Sequence, residues 1–395
     1  MNSLEALLSL SVGEKQNQGL TFTPREIFQQ PSSWEKTFQT ATRSSSEIGS
    51  FLRAAGLDQK SSNTPTVFLV GAGTSDYAGR AIGPLLRRRW RCECHAIPST
   101  DLLTNAQDLV LHGQPYLWIS FSRSGDSPEG VAALKLALGR YPEIRHLIVT
   151  CNKDGRMAQK LARDPRVCCL VLDDETNDRG LAMTSSFSSM VVAGQCLAYL
   201  NDLSEYETVL KKAVIAARSF LPVAADLSAE LARTGFCRVC FLGTGALKAV
   251  AQESSLKVLE LTAGKICPFS ESFLGVRHGP LSGIDDQTLV VGFLSGDASR
   301  RAYELDMLVE IREKNLGKKT VLIVPSEDDC PGNVADIVIP LGIKDKVPDD
   351  CRPPLDVIFG QLLGLFTSIQ FGLKPDTPSP DGVISRVVGR IKIYR

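Results

Sequence analysis

Tyr116-Leu117-Trp118-Ile119-Ser120-Phe121-Ser122-Arg123-Ser124-Gly125-Asp126-Ser127-Pro128-Glu129 reads as a strand, a turn and the start of a helix. The apolar run at 116–119 suits a buried strand, and residues 131–138 carry a helical pattern. Gly125 is the hinge between them, and Ser127 before Pro128 predicts an N-cap with proline at the first helical position. The hydroxyls of Ser122, Ser124 and Ser127 crowd onto this turn. Free backbone N–H groups at a helix start attract an anion, and added hydroxyls suit a phosphate. A polar turn that only caps a helix would use the same residues, so the argument turns to the neighbours.

The same unit occurs twice. Val67-Phe68-Leu69-Val70-Gly71-Ala72-Gly73-Thr74-Ser75 is answered by Val239-Cys240-Phe241-Leu242-Gly243-Thr244-Gly245. Ser124-Gly125-Asp126 is answered by Ser295-Gly296-Asp297, and Leu147-Ile148-Val149 by Leu322-Ile323-Val324. The offset hardly changes along the three pairs, which predicts a duplicated α/β domain. Strands alternating with helices imply parallel, doubly wound, flavodoxin-like sheets covered on both faces. Ligands of such sheets sit beyond the C-terminal strand ends, where these Gly and Ser turns fall. The expected organisation is a helical arm at 1–60, domains at 61–215 and 216–375, and a strap at 376–395.

In the arm, Thr23-Pro24-Arg25-Glu26 predicts a capped helix start, and Trp34, Phe38, Ile48, Phe51 and Leu52 an apolar face. The arm is not basic and shows no helix-turn-helix. Lys plus Arg equals Asp plus Glu at 44 each, so no long-range field draws nucleic acid or an anionic membrane. No run of about 18 apolar residues and no leader pattern occurs, so a cytoplasmic chain is expected. The 11 cysteines are scattered and odd in number, which favours free thiols in a reducing compartment. Cys92 and Cys94 lie two apart without a second Cys/His pair at zinc spacing, so no metal is expected. Asp76 stands where a dinucleotide fingerprint after Gly71-Ala72-Gly73 would need glycine, and no cofactor is expected either.

Glu253, Lys257 and Glu260 fall within about 60° of one helix face. An exposed ion-pair ladder would have this spacing. Yet Ala249, Leu256, Val258, Leu259 and Leu261 enclose the helix, and enclosed charges need partners or a role. Downstream, Phe273-Leu274-Gly275-Val276-Arg277-His278-Gly279-Pro280-Leu281 places one of only four histidines on a Gly- and Pro-bounded loop.

Together, the phosphate turn, the Glu253/Lys257/Glu260 helix and the His278-Gly279-Pro280 loop resemble the sugar isomerase (SIS) family in its double-domain form, over about residues 60–390. Gly180-Leu181-Ala182-Met183-Thr184-Ser185-Ser186-Phe187 is similar to the family's sugar-contacting loop. The AgaS-type galactosamine-6-phosphate deaminase/isomerase branch is resembled more closely. The matching segments are Glu26-Ile27 with Gln30-Pro31 and Trp34, Asp178-Arg179-Gly180, the run from Lys257 to Lys265, and Pro375-Asp376-Thr377-Pro378 with Arg386-Val387-Val388.

The resemblance implies phosphate binding by Ser122, Ser124 and Ser127, with Arg123 among them. It implies that Thr74, Ser75, Leu181 and Ala182 line the sugar, and that Arg386 reaches it from the tail. Glu260 is implied as the C1/C2 proton shuttle, Lys257 and Glu253 as its supports, and His278 as the ring-opening group of a neighbouring subunit in a homodimer. Two residues depart from the pattern. Arg123 stands where the related glucosamine-6-phosphate synthase has Gln, and Arg386 where relatives have a lysine. Arginine forms no Schiff base. No glutamine-hydrolysing domain precedes the repeat, so no internal ammonia supply is expected.

The implied reaction converts galactosamine 6-phosphate to tagatose 6-phosphate and ammonia. Glu260 moves a proton from C2 to C1 and water hydrolyses the resulting imine, so a hydrolase class is expected beside isomerase. Alternatives are a non-deaminating aldose–ketose isomerase, a glucosamine-6-phosphate deaminase and a sugar-phosphate-sensing regulator. A regulator would be expected to lose the catalytic groups, and all are present.

Overall fold

The computed structural model describes residues 1–57, 64–329, 333–343, 346–389 and 391–394. The expected arm–domain junction at residues 60 and 61 lies outside the described residues, as does Cys330. The chain divides into two compact units. One comprises Ser32–Asp178, Ser185–Glu207 and Ile384–Arg395; the other comprises Met1–Pro31, Arg179–Thr184 and Thr208–Val383. Each holds one sheet.

In the first-sheet unit, β1 (Thr66–Gly71), β2 (Cys94–Pro98), β3 (Tyr116–Ser122), β4 (Arg145–Thr150) and β5 (Val167–Val171) pair in parallel in the order β2-β1-β3-β4-β5. Every residue of β3 is buried, as a central strand covered on both faces requires. On one face Phe68, Val70, Tyr116 and Trp118 pack against Leu102, Ala106, Ala133 and Ala137 of the helices Ser99–Leu109 and Pro128–Arg140. On the other, Leu69 meets the helix Thr74–Trp90 so closely that a Cβ on Gly79 would lie 3.0 Å from the Leu69 Cβ.

In the second-sheet unit, β6 (Arg238–Gly243), β7 (Cys267–Glu271), β8 (Thr288–Phe293), β9 (Lys319–Val324) and β10 (Ile337–Pro340) are again all parallel. Their order is β7-β6-β8-β9-β10, which repeats that of the first sheet. Cys240, Leu242, Val290, Leu322 and Val324 pack with Met307, Leu308 and Ile311 of the helix Ala298–Glu313. The duplication extends to backbone angles. Gly73 (φ 56, ψ −125) and Gly245 (φ 61, ψ −126) open equivalent helices, a conformation that glycine adopts without a Cβ penalty. The order reverses between β1 and β3 in one sheet and between β6 and β8 in the other, and such switch points are where ligands bind.

Five helices fill the N-terminal residues: Ser3–Ser9, Val12–Gln18, Thr23–Phe28, Gln30–Arg43 and Ser45–Ala54. In the first-sheet unit, Trp34 is fully buried and its Nε1–H donates to Ser188 Oγ at 2.8 Å. The helix start at Thr23 differs from the expectation, because Phe22 occupies the cap position and contributes no side-chain cap. The strap residue Asp376 supplies it instead. Its carboxylate accepts the N–H groups of Thr21 (2.7 Å), Phe22 (3.1 Å) and Thr23 (2.8 Å) and the Thr23 hydroxyl. A charge-assisted cap from the far end of the chain satisfies more orphan donors than Thr23 could alone. Among the described residues no helix is long and apolar enough to cross a membrane.

Candidate active site

After β3 the chain turns through Gly125 (φ +64) and enters the helix Pro128–Arg140 with Ser127 as N-cap, its Oγ accepting the Gly130 N–H at 3.1 Å. Ser122 Oγ accepts from Gly125 N–H at 3.0 Å, and Ser124 Oγ from Asp126 N–H at 3.2 Å. Each hydroxyl oxygen is therefore oriented by a turn N–H, and its own O–H is left to donate, the polarity an anion needs. The loop after β4 fixes the turn. Asn152 Nδ2 donates to the Ser124 carbonyl at 2.8 Å, Arg156 pairs with Asp126 at 2.9 Å, and a Cβ on Gly155 would lie 2.5 Å from that same carbonyl.

Arg123 is buried, and its Nη2 donates to the Arg386 carbonyl. The Arg386 side chain donates from Nε to the Asp178 carbonyl and from Nη2 to Asn177 Oδ1, each at 2.7 Å. Two residues remote in sequence thus meet within the first-sheet unit, the Arg123 side chain on the Arg386 backbone. Thr74 and Ser75, both buried, begin the helix that follows β1, the strand paired with β3. The structure therefore brings Thr74, Ser75, Ser122, Arg123, Ser124, Ser127 and Arg386 to one end of one sheet.

In the second-sheet unit, Glu253, Lys257 and Glu260 lie on the helix Ala246–Leu261. The helix Pro353–Gln370, buried from Pro353 to Ser368, packs on it without a gap. A Cβ on Gly360 would fall 2.2 Å from Ser254 Oγ, and one on Gly364 2.8 Å from Leu261 Cδ1. This close approach removes Glu253 and Lys257 from solvent altogether, while the Glu260 side chain keeps 23% of its surface. Lys257 Nζ lies 3.3 Å from Glu253 Oε1 and 2.5 Å from Glu260 Oε2. Burial alone would push its pKa down, but the two carboxylates outweigh burial and hold it above the ordinary lysine value. The exposed ladder is thereby excluded: this is a buried lysine bridging a buried and a half-buried carboxylate.

His278 closes a single helical turn after Gly275–Arg277 and is exposed, with Gly279 at φ +120 beside it. Leu181 and Ala182 belong to the second-sheet unit; Leu181 N–H donates to the Asp376 carbonyl at 3.0 Å, and Ala182 is fully buried. Glu26 anchors this loop by accepting the N–H groups of Arg179 and Gly180. The segments Glu26-Ile27 and Asp178-Arg179-Gly180, singled out in the sequence, are therefore connected through a loop anchor.

The second copy of the serine turn differs from the first. Ser295 Oγ accepts Asp297 N–H at 3.1 Å, as Ser124 does for Asp126. But the Ser295 hydroxyl donates to Asp349, whose other oxygen accepts the Gly296 N–H at 2.9 Å. Arg352, wholly buried, holds Asp349 at 3.1 Å and Asp356 at 2.7 Å. Burial raises the Asp349 pKa, yet Arg352 and the hydrogen bonds take it below the ordinary carboxylate value. Asp349 and Arg352 carry no local sequence signal, since the contact to Ser295 spans 54 residues.

No protein-family profile matches the chain. The D-galactosamine-6-phosphate deaminase AgaS of Escherichia coli is 36% identical, covering 95% of this chain and 96% of its own. Its counterpart from Shewanella sp. (strain ANA-3) is 32% identical, covering 98% and 95%. The crystal structure of tagatose-6-phosphate ketose/aldose isomerase from Escherichia coli matches with a TM-score of 0.84 at 34% identity, covering 95% and 96%. These names, a deaminase and a ketose/aldose isomerase, overturn the hydrolase class expected from the sequence. Loss of an amine and exchange of aldose for ketose rearrange C1 and C2 of a sugar, unlike the cleavage of an ester or glycoside by water. The chain belongs to the AgaS-type D-galactosamine-6-phosphate deaminase family.

Proposed function

We propose that this chain converts galactosamine 6-phosphate to tagatose 6-phosphate and ammonia. The observation that carries the reading is the Glu253–Lys257–Glu260 cluster, a buried cation orienting the one carboxylate of the three groups that keeps solvent access. Buried ions at such cost are expected at functional positions. Ser122, Ser124 and Ser127 take the phosphate, with Arg123 and Arg386 supplying fixed positive charge; Thr74, Ser75, Leu181 and Ala182 take the sugar. His278 moves the proton between O5 and O1 as the ring opens. Glu260 then removes the C2 proton and returns one to C1, leaving an imine at C2, and water adds as ammonia departs. General base catalysis of this kind contributes about 10²–10⁴-fold. None of these steps transfers electrons, so none calls for a redox cofactor.

The proposed assembly is a homodimer in which His278 completes the neighbouring site, in keeping with its exposure on its own chain. Mixing inactive His278→Ala with inactive Glu260→Gln protein under subunit exchange should restore part of the activity; no rescue would place His278 in its own chain's site. A second reading, plain aldose–ketose isomerisation, is favoured by the name of the Escherichia coli structure. Ammonia release from galactosamine 6-phosphate, glucosamine 6-phosphate and their N-acetyl forms, assayed side by side, decides between them. Release fastest from galactosamine 6-phosphate is expected, and turnover of a ketose phosphate without ammonia from any amino sugar would overturn the proposal.

A further inference from the structure

We propose that Cys92 and Cys94 form a peroxide-reactive dithiol, in which a small hydroperoxide oxidises Cys92 and Cys94 closes the intramolecular disulfide. Their Sγ atoms lie 3.7 Å apart. Arg91, left-handed at φ 54, ends the helix Thr74–Trp90 and turns the chain into β2, where Cys94 is the first residue. β2 is an edge strand, so the two sulfurs lie at the margin of the sheet; Cys92 is buried with 9% of its surface left, and Cys94 is half-buried. A disulfide needs about 2.05 Å between sulfurs, a closure within reach of small side-chain rotations.

Electrostatics divide the two roles. The contact between the two sulfurs, in which either thiol can donate, draws the Cys92 pKa down against burial and against Glu93, while it and burial push Cys94 up. Burial pushes Cys168 up to about 11 and Cys151 and Cys169 up to about 12. Within the pair, thiolate character, the requirement for attack on a peroxide, falls to Cys92. In the first step the S–O bond forms as the O–O bond breaks, and the departing oxygen takes a proton and leaves as water or an alcohol. In the second, the Cys94 sulfur displaces the sulfenic hydroxyl, which leaves as water. Two thiols and one hydrogen peroxide give one disulfide and two waters.

Cys94 is in register with Val67, whereas the catalytic end of β1 is Gly71. Four residues at about 3.3 Å each put the pair some 13 Å from the serine turn's end of the sheet. Its oxidation is therefore separable from turnover of the sugar phosphate.

The test treats the full chain with hydrogen peroxide and maps thiols by alkylation and peptide mass. A 92–94 disulfide, lighter by two hydrogens and reversed by a dithiol reductant, should form about tenfold faster than oxidation of Cys237 or Cys267, the thiols exposed among the described residues. In Cys94→Ser, Cys92 should be trapped by dimedone as the sulfenic acid; in Cys92→Ser, reaction at Cys94 should fall about tenfold. Both variants should keep wild-type turnover. Oxidation of Cys237 or Cys267 ahead of the pair, or no dimedone adduct at Cys92 in the Cys94→Ser protein, would overturn the proposal.

Discussion

The turn after β3 and the turn after β8 stand at the same place in two copies of one fold, with the same internal hydrogen bond from the aspartate N–H to the serine oxygen. They differ in what the serine hydroxyl meets. At Ser295 it meets Asp349, a carboxylate of the chain itself; at Ser122, Ser124 and Ser127 the oxygens accept turn N–H groups, and the proposed phosphate takes the place of that carboxylate. The helices that follow β1 and β6 differ in the opposite sense. With Gly71 matched to Gly243, the positions of Glu253, Lys257 and Glu260 correspond to Ala81, Leu85 and Arg88. Ala81 and Leu85 are buried apolar residues that cost nothing to desolvate, whereas a buried Lys257 costs several kcal/mol before its partners offset it. At the three matched positions one copy carries Ala81, Leu85 and Arg88, and the other carries the buried Glu253–Lys257–Glu260 cluster.

The largest expected effect is on that cluster. Glu260→Gln should lower kcat by about 10²–10⁴ with KM little changed, and C2 deuterium exchange should fall with it. Near-normal turnover with only stability lowered would reduce Glu260 to an ion-pair partner of the buried Lys257. Next comes the closed turn. Asp349→Ala strips Arg352 of one buried partner and should cost about 3–5 kcal/mol in urea unfolding. Because the Asp349 pKa is lowered in the folded protein, its stabilisation is present above the ordinary value of 3.8 and is lost as pH falls through the folded value. The variant should therefore lose its deficit against wild type in strong acid; a deficit that persists there would mean that the charge is not what holds the turn closed.

Giving the second copy the residues of the first is a sharper comparison. Glu253→Ala with Lys257→Leu should leave stability unchanged or raise it by about 1–4 kcal/mol, since an apolar pair replaces a buried ion pair. Turnover should nevertheless drop by about 10², as Glu260 loses the group that orients it. A loss of stability in step with activity would contradict the view that these ions are kept for function. The smallest effects are at the serines. Ser124→Ala should raise KM roughly ten- to a hundredfold, because one hydrogen bond to a charged group is worth about 1.5–3 kcal/mol. Ser295→Ala should leave KM alone; a rise there would mean that both turns serve the substrate.

How much of this was legible in the chain depended on distance along it. The strands, the duplication, the Ser127 cap and the one-face spacing of Glu253, Lys257 and Glu260 are local or periodic patterns, and they appear in the structure as read. The parts that escaped are made by groups far apart. Asp376 caps a helix that begins at Thr23, and nothing near Thr23 reveals that its own hydroxyl donates rather than caps. Asp349 closes the second turn from another loop, so Ser295-Gly296-Asp297 looked equivalent to Ser124-Gly125-Asp126 when only its backbone is. The complete burial of Lys257 depends on Gly360 and Gly364 in a helix about a hundred residues downstream, which turns an apparent surface ladder into a buried bridge.

Isothermal titration of the purified Glu260→Gln chain, which should bind without turnover, with galactosamine 6-phosphate tests the proposed division of labour most directly. One sugar phosphate per chain is predicted, with affinity weakened roughly ten- to a hundredfold by Ser124→Ala and unaltered by Ser295→Ala. Two ligands per chain, or binding that survives Ser124→Ala and is lost with Ser295→Ala, would contradict it.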